Sequence, residues 1–166
     1  MKKTIPIRTS LRLKEYDYSL PGYYFVTICT KDRRCLFGKI ISGKMYLNNN
    51  GEILKEVLNN LKKHNSNINL DYYCIMPNHL HLILIIENSI RAGLESAPTK
   101  NVLTEIVRQL KTFSSKRINI FHNTTGSSVW QRSFYEHIIR NDKELYEIRK
   151  YIEFNPLNWE DDEYNK

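Results

Sequence analysis

Tyr72–Ile86 reads YYCIMPNHLHLILII, and the fold is decided there. On either side of the Pro77–Asn78 break the stretch is almost wholly apolar, which predicts two strands, the second from about Asn78 to Ile86. Successive strand side chains point to opposite faces, so His79 and His81 share one face and Leu80 takes the other. Two residues of strand rise put the histidines roughly 7 Å apart at the backbone, near enough for both imidazoles to meet at one cation. Such a polar pair costs free energy in an apolar strand unless something uses it. A pair of hydrogen-bonded scaffold histidines has the same pattern, and two ligands alone do not make a metal site.

The flanking sequence sets the remaining elements. Upstream, Pro21–Gly22 marks a turn, and YYFVTICT (Tyr23–Thr30) has the β-branched and aromatic content of a buried strand. Ser42–Gly43 sits between two short apolar pieces within Cys35–Asn49, which predicts a hairpin. Asn50 is placed to cap a helix carrying Ile53, Leu54, Val57, Leu58 and Leu61 at helical spacing. Downstream, Asn88–Asn101 loses periodicity and reads as a mobile loop, and a second helix begins near Val102. Val129–Ile139 reads as a further strand or extended segment, and Asn141 or Asp142 caps a last helix that runs to about Phe154 before Pro156.

Without the hairpin, the order is β-α-β-β-α-β plus a terminal helix. That is an α+β, ferredoxin-like (split β-α-β) pattern: an antiparallel sheet with helices on one face. With 166 residues the chain has room for one domain, divided into a basic arm (1–16), a body (17–159) and an acidic tail (160–166) expected to fray.

Net charge is +7, but the tail EDDEYNK carries −3, which leaves residues 1–159 at +10. Such a field favours polyanions, nucleic acid first and an anionic membrane surface second. No segment has the length of a membrane span, and the basic N-terminus lacks the apolar core of a signal peptide. Three cysteines without CxxC spacing fit a reducing compartment, so the cytoplasm is expected, with association with the nucleoid when DNA is bound.

In the last helix Tyr151 and Asn155 are four residues apart and share a face. Docked against the sheet, that face can aim both side chains at the histidine pair. An amide oxygen is a hard, neutral ligand suited to Mg²⁺ or Mn²⁺ beside imidazoles, and a phenolate one turn away can attack a phosphate. Positive charge is needed to favour that phenolate, from the metal or from Arg149 or Lys150 turned inward. The chain has 11 tyrosines, most of them necessarily packing or surface residues, so the spacing is not decisive by itself.

Four segments in order resemble the single-tyrosine HUH transposases, most closely the REP-associated tyrosine transposases: Arg12–Gly38, MPNHLHLIL (Met76–Leu84), VWQRSFYEHIIRN (Val129–Asn141) and KYIEFNPLNW (Lys150–Trp159). The resemblance is weakest over Asn88–Asn101 and the helix after it. It implies that His79 and His81 are metal ligands, Asn155 the third ligand, and Tyr151 the catalytic nucleophile. Glu136 and His137 also match a family motif and read as scaffold, and Trp130 as core rather than a base platform. The implied activity is cleavage and rejoining of single-stranded DNA near hairpins, through a 5′-phosphotyrosine and with Mg²⁺ or Mn²⁺. Arg8, Arg12, Lys31, Arg33, Arg34, Arg108 and Lys111 are then candidates for gripping the DNA backbone, and Tyr16, Tyr18 and Tyr135 for stacking bases. Three other readings stand beside it: a domesticated hairpin-binding protein that cuts poorly, an HUH nicking endonuclease, and a small ferredoxin-like RNA-binding protein. Monomer and homodimer, with an active site in one chain or shared, are both open.

Overall fold

In the computed structural model, which describes residue 17 and residues 20–87 and 102–165, strand β1 (Gly22–Cys29) is the axis of a four-stranded antiparallel sheet. β5 (His79–Ile86) pairs with it from Gly22↔Ile86 to Cys29↔His79. β4 (Ile68–Ile75) flanks β5, and β6 (Tyr135–Ile139) flanks β1, giving the order β4-β5-β1-β6. This is the strand order of a ferredoxin-like sheet, with β2 (Gly38–Ile41) and β3 (Lys44–Leu47) forming the separate hairpin at Ser42–Gly43.

Alternation divides the sheet into two chemistries. On one face Tyr24, Val26, Ile28, Leu80, Leu82 and Leu84 are fully buried under α1 (Asn49–Asn59), the short α2 (Leu61–His64) and α3 (Val102–Phe121). On the other, Phe25, Ile83 and Ile139 pack against Leu145, Ile148 and Ile152 of α4 (Asp142–Phe154). β5 is therefore covered on both sides, which accounts for its nearly unbroken apolar sequence, and its two histidines lie on the α4 side. A bulge between Leu70 and Tyr72 puts Asp71 out of the ladder. There its carboxylate accepts from Arg149 Nε at 2.8 Å and ties α4 to the edge strand.

Three local expectations are corrected. The helix cap is Asn48, whose Oδ1 accepts from Gly51 N at 3.1 Å, while the Asn50 amide instead donates to Leu36 O. Only Tyr135–Ile139 of the segment from Val129 joins the sheet; Trp130 forms an isolated bridge with Thr30. The carbonyls of the intervening Gln131, Arg132 and Ser133 accept instead from Lys111 Nζ, on α3, at 2.9, 3.2 and 3.0 Å. Finally, the acidic tail is not frayed through Asn165. Pro156–Asp161 forms a 3₁₀ turn, and the residues after it fold back over the histidine face. Among the described residues no helix is long and apolar enough to cross a membrane.

Candidate metal and nucleophile site

The structure brings His79, His81, Tyr151 and Asn155 together. His79 Nε2 and His81 Nε2 are 3.0 Å apart, both rings buried, and Tyr151 Oη lies 3.5 Å from His81 Nε2. Asn155, at the end of α4, is 3% exposed. Its Nδ2 donates to Asp162 Oδ2 at 2.9 Å, leaving Oδ1 buried with no hydrogen-bond partner. Asp162 Oδ2 is in turn 4.0 Å from His79 Nε2, so the tail adds a carboxylate that sequence periodicity does not reveal.

The hydrogen bonds around the histidines decide where their protons sit. Asn78 Nδ2 donates to the carbonyls of Arg33 and Tyr164, so its Oδ1 is the acceptor facing His79 Nδ1 at 2.8 Å. His79 must therefore donate from Nδ1, and its Nε2 presents a lone pair to the centre. His81 Nδ1 is 2.8 Å from Thr27 Oγ1, its cross-strand neighbour in the β1–β5 register. A hydroxyl can donate or accept. When Thr27 donates, His81 Nε2–H closes a hydrogen bond to His79 Nε2. When Thr27 accepts, both Nε2 lone pairs face the same point. Rotation of the Thr27 hydroxyl, together with the shift of the His81 ring proton from Nε2 to Nδ1, thus converts a closed histidine pair into a bidentate one.

Burial keeps both rings neutral: it lowers His79 to about 3, and holds His81 well below the usual histidine range with the help of its neighbour. Burial also raises Tyr151 well above the ordinary phenol value, reinforced by the charges of Asp162 and Glu163; the neighbouring Asn155 amide pulls the other way. The aromatic walls are close. The Tyr164 ring lies 4.7 Å from that of His79, Trp159 stacks on His79 at 6.2 Å, and Phe25 and Tyr151 sit 5.5 and 5.3 Å from His81.

A divalent cation fits this donor set. Two neutral imidazoles, an amide oxygen that is buried and unpaired, and a carboxylate whose side chain is 2% exposed make a mixed nitrogen and oxygen site of the kind that suits Mn²⁺ or Mg²⁺. Neither helix cation turns inward: Arg149 is paired with Asp71, and Lys150 Nζ sits 4.7 Å over the Tyr146 ring.

The basic candidates separate by their partners. Lys31 is exposed on the surface. Arg33 donates to Glu163 O at 3.0 Å and lies over the Tyr164 ring, which pins the tail across the site. Arg34 donates to Lys31 O and Ser128 O, Arg108 chelates Glu105 on its own helix, and Lys111 spends its three donors on the 131–133 carbonyls. Arg8, Arg12, Tyr16 and Tyr18, like the expected loop at 88–101, lie outside the described residues. Tyr135 packs beside Phe25, while Trp130 is buried against Phe37 and donates to Ser114 Oγ at 2.9 Å. His137 Nε2 pairs with Glu144 Oε1 at 2.7 Å, joining β6 to the start of α4. Thr27, Asn78, Asp162 and Tyr164 are the members of the site that sequence reasoning misses. Only Thr27 and Asn78 carry a trace of it, one in the strand paired with β5 and the other next to His79.

Comparison with known proteins bears on the family and the fold. Residues 20–155 match the family described as IS200-like transposases. An uncharacterized Haemophilus influenzae protein is 40% identical over 171 residues, covering 94% of this chain and 92% of its own. A second protein of that organism, assigned as a REP-associated tyrosine transposase, is 29% identical over 85% of this chain and 73% of its own. Among solved structures, a REP-associated tyrosine transposase bound to a REP hairpin superposes with a TM-score of 0.65 at 19% identity, covering 89% of this chain and 73% of that one. A Deinococcus radiodurans R1 protein described as a transposase gives 0.51 at 21% identity, over 86% and 96%.

Proposed function

The chain belongs to the IS200-like transposase family, and from that premise we propose that it cleaves and rejoins single-stranded DNA beside hairpins, using Tyr151 as nucleophile. The observation that carries this reading is the placement of Tyr151 Oη 3.5 Å from His81 Nε2, in a cluster whose Asn155 Oδ1 is buried without a partner. A phenol beside a cluster of imidazole, amide and carboxylate donors has the composition of a phosphoryl-transfer centre.

His79 and His81, through Nε2, and Asn155, through Oδ1, would hold a divalent cation, Mn²⁺ or Mg²⁺, with Asp162 beside them. Such a cation supplies Lewis-acid polarisation of the scissile phosphate and the positive charge that a phenolate needs. Tyr151 Oη attacks phosphorus while the bond from phosphorus to the 3′-oxygen breaks. The phenol loses its proton and the departing oxygen gains one, leaving a 5′-phosphotyrosine and a free 3′-hydroxyl. Attack by a 3′-hydroxyl on that ester restores Tyr151 and rejoins the strand. Asn78 and Thr27 fix the imidazoles, and the α4 packing of Leu145, Ile148 and Ile152 fixes the approach of Tyr151.

The test uses labelled single-stranded hairpins from the DNA flanking the coding region, mixed with wild type or Tyr151→Phe in Mg²⁺, Mn²⁺ or chelator. A denaturation-resistant protein–DNA band is expected with wild type and metal alone. Tight hairpin binding by both proteins without a band would instead indicate a binding protein, and a band that survives Tyr151→Phe would refute the assignment of the nucleophile.

A further inference from the structure

The β2–β3 hairpin has two unlike faces. Met45 and Leu47 pack toward the helical core, while Lys39, Ile41, Lys44 and Tyr46 all point outward. The register makes those four one patch, with Lys39 opposite Tyr46 and Ile41 opposite Lys44. Tyr46 is 47% and Ile41 45% exposed, and Lys44 Nζ lies 5.7 Å from the Tyr46 ring centroid. No acidic residue occurs between Gly38 and Leu47. The ribbon is held stiff by its turn, where Ser42 and Gly43 both have positive φ, 48° and 73°, as a two-residue turn matched to strand twist requires.

Its position joins it to the candidate site. Gly43 lies against Leu157, whose Cδ2 a side chain at position 43 would have to push aside, and Leu157 is two residues from Asn155. The same 3₁₀ turn carries Trp159 onto His79 and leads to Asp162. The turn of the ribbon therefore lies against the same segment that carries Trp159 and Asp162 to the histidine pair. A second copy of the ribbon's outer face would offer its lysines no carboxylate, since the ribbon has none. An aromatic ring with ammonium groups on neighbouring positions is instead the composition that holds an unpaired base and its phosphates.

We propose that the outer face of the β2–β3 ribbon binds the single-stranded DNA adjoining the cleavage point, with a base stacked on Tyr46 and phosphates held by Lys39 and Lys44. The substrate class rests on the function proposed above, while the binding surface is tested without any cleavage. Fluorescence anisotropy in chelator compares a hairpin bearing a single-stranded extension, on either the 5′ or the 3′ side, with the same hairpin lacking it. For the extended hairpin Tyr46→Ala is expected to weaken binding about tenfold and Tyr46→Phe to restore it. The Lys39→Ala/Lys44→Ala pair should lower the slope of log affinity against log salt by about 1.4, the value for two single-strand phosphates. The blunt hairpin should be insensitive to all of these changes. Every altered side chain faces solvent, so the melting temperature should stay at the wild-type value.

Equal binding of the extended hairpin by wild type and Tyr46→Ala would overturn the proposal, and so would an equal loss with the blunt hairpin, which would assign the ribbon to the stem. Loss of affinity for anionic vesicles alone would assign it to a lipid surface and also overturn the proposal. Ribbon-dependent binding without a covalent band would refute the nucleophile reading and leave this one standing. A covalent band with ribbon-independent binding would do the reverse.

Discussion

Replacing Thr27 with valine removes a single hydroxyl from the histidine centre and keeps its shape. Thr27 is 2% exposed, and its Oγ1 is 2.8 Å from His81 Nδ1. Leaving a buried polar group unpaired costs about 1–3 kcal/mol in either tautomer of His81. The two states do not lose equally. With a cation on Nε2 the ring is a stronger Nδ1–H donor, and charge-assisted bonds are roughly twice as strong as neutral ones. A difference of about 1.4 kcal/mol between the states gives a tenfold loss of metal affinity, at the lower edge of the range seen for partners of ligating histidines. Calorimetric titration of Mn²⁺ into wild type, Thr27→Val and Thr27→Ser measures it. The serine variant keeps the hydroxyl and should bind near the wild-type level. Equal affinity of Thr27→Val and wild type, or equal weakening in the serine variant, would refute the hydroxyl's proposed role in setting the tautomer.

Two further outcomes follow from groups the fold buries. The metal-free protein should lose stability as pH falls from 6.5 toward 5, because the unfolded chain takes up protons near 6.5 that His79, lowered to about 3, and the similarly lowered His81 refuse in the fold. The slope is at most about 1.4 kcal/mol per pH unit for each histidine, and His79→Asn should make it shallower; denaturant unfolding at stepped pH that shows no change across this window would count against the buried neutral pair. Lys111→Met should destabilise the chain by about 1–3 kcal/mol, since the carbonyls of Gln131, Arg132 and Ser133 lose their common donor, and should leave the salt dependence of DNA binding unaltered. A lowered salt slope without a loss of stability would return Lys111 to the phosphate contacts.

The sheet and half of the site are written in local periodicities. A period of two puts His79 and His81 on one face with Leu80 opposite, and a spacing of four puts Tyr151 and Asn155 on one side of α4. Both patterns survive folding because regular backbone enforces them. Asp162 and Tyr164 follow no such rule. They belong to a polar, acidic run that reads as solvated tail, and only tertiary bonds from Asn78, Arg33 and Asn155 draw them over the histidines. Thr27 is hidden for a related reason, because its contact with His81 depends on strand register, which no local window contains. Lys111 misleads in the opposite sense. A cation on a helix beside other cations suggests a phosphate grip, yet three carbonyls from a distant loop take every donor it has.

The two-sided burial of β5 ties the chemistry of the chain to its quality of folding. A slip of one residue against β1 would turn Leu80 and Leu82 toward the α4 side and drive both histidines into the helical core. That state would be expensive and inert at once, so a stable but misregistered population has nowhere to form. For this chain the fraction that folds and the fraction that can present its histidine pair should be the same number, and a preparation's cooperative melt should serve as a measure of its competent sites.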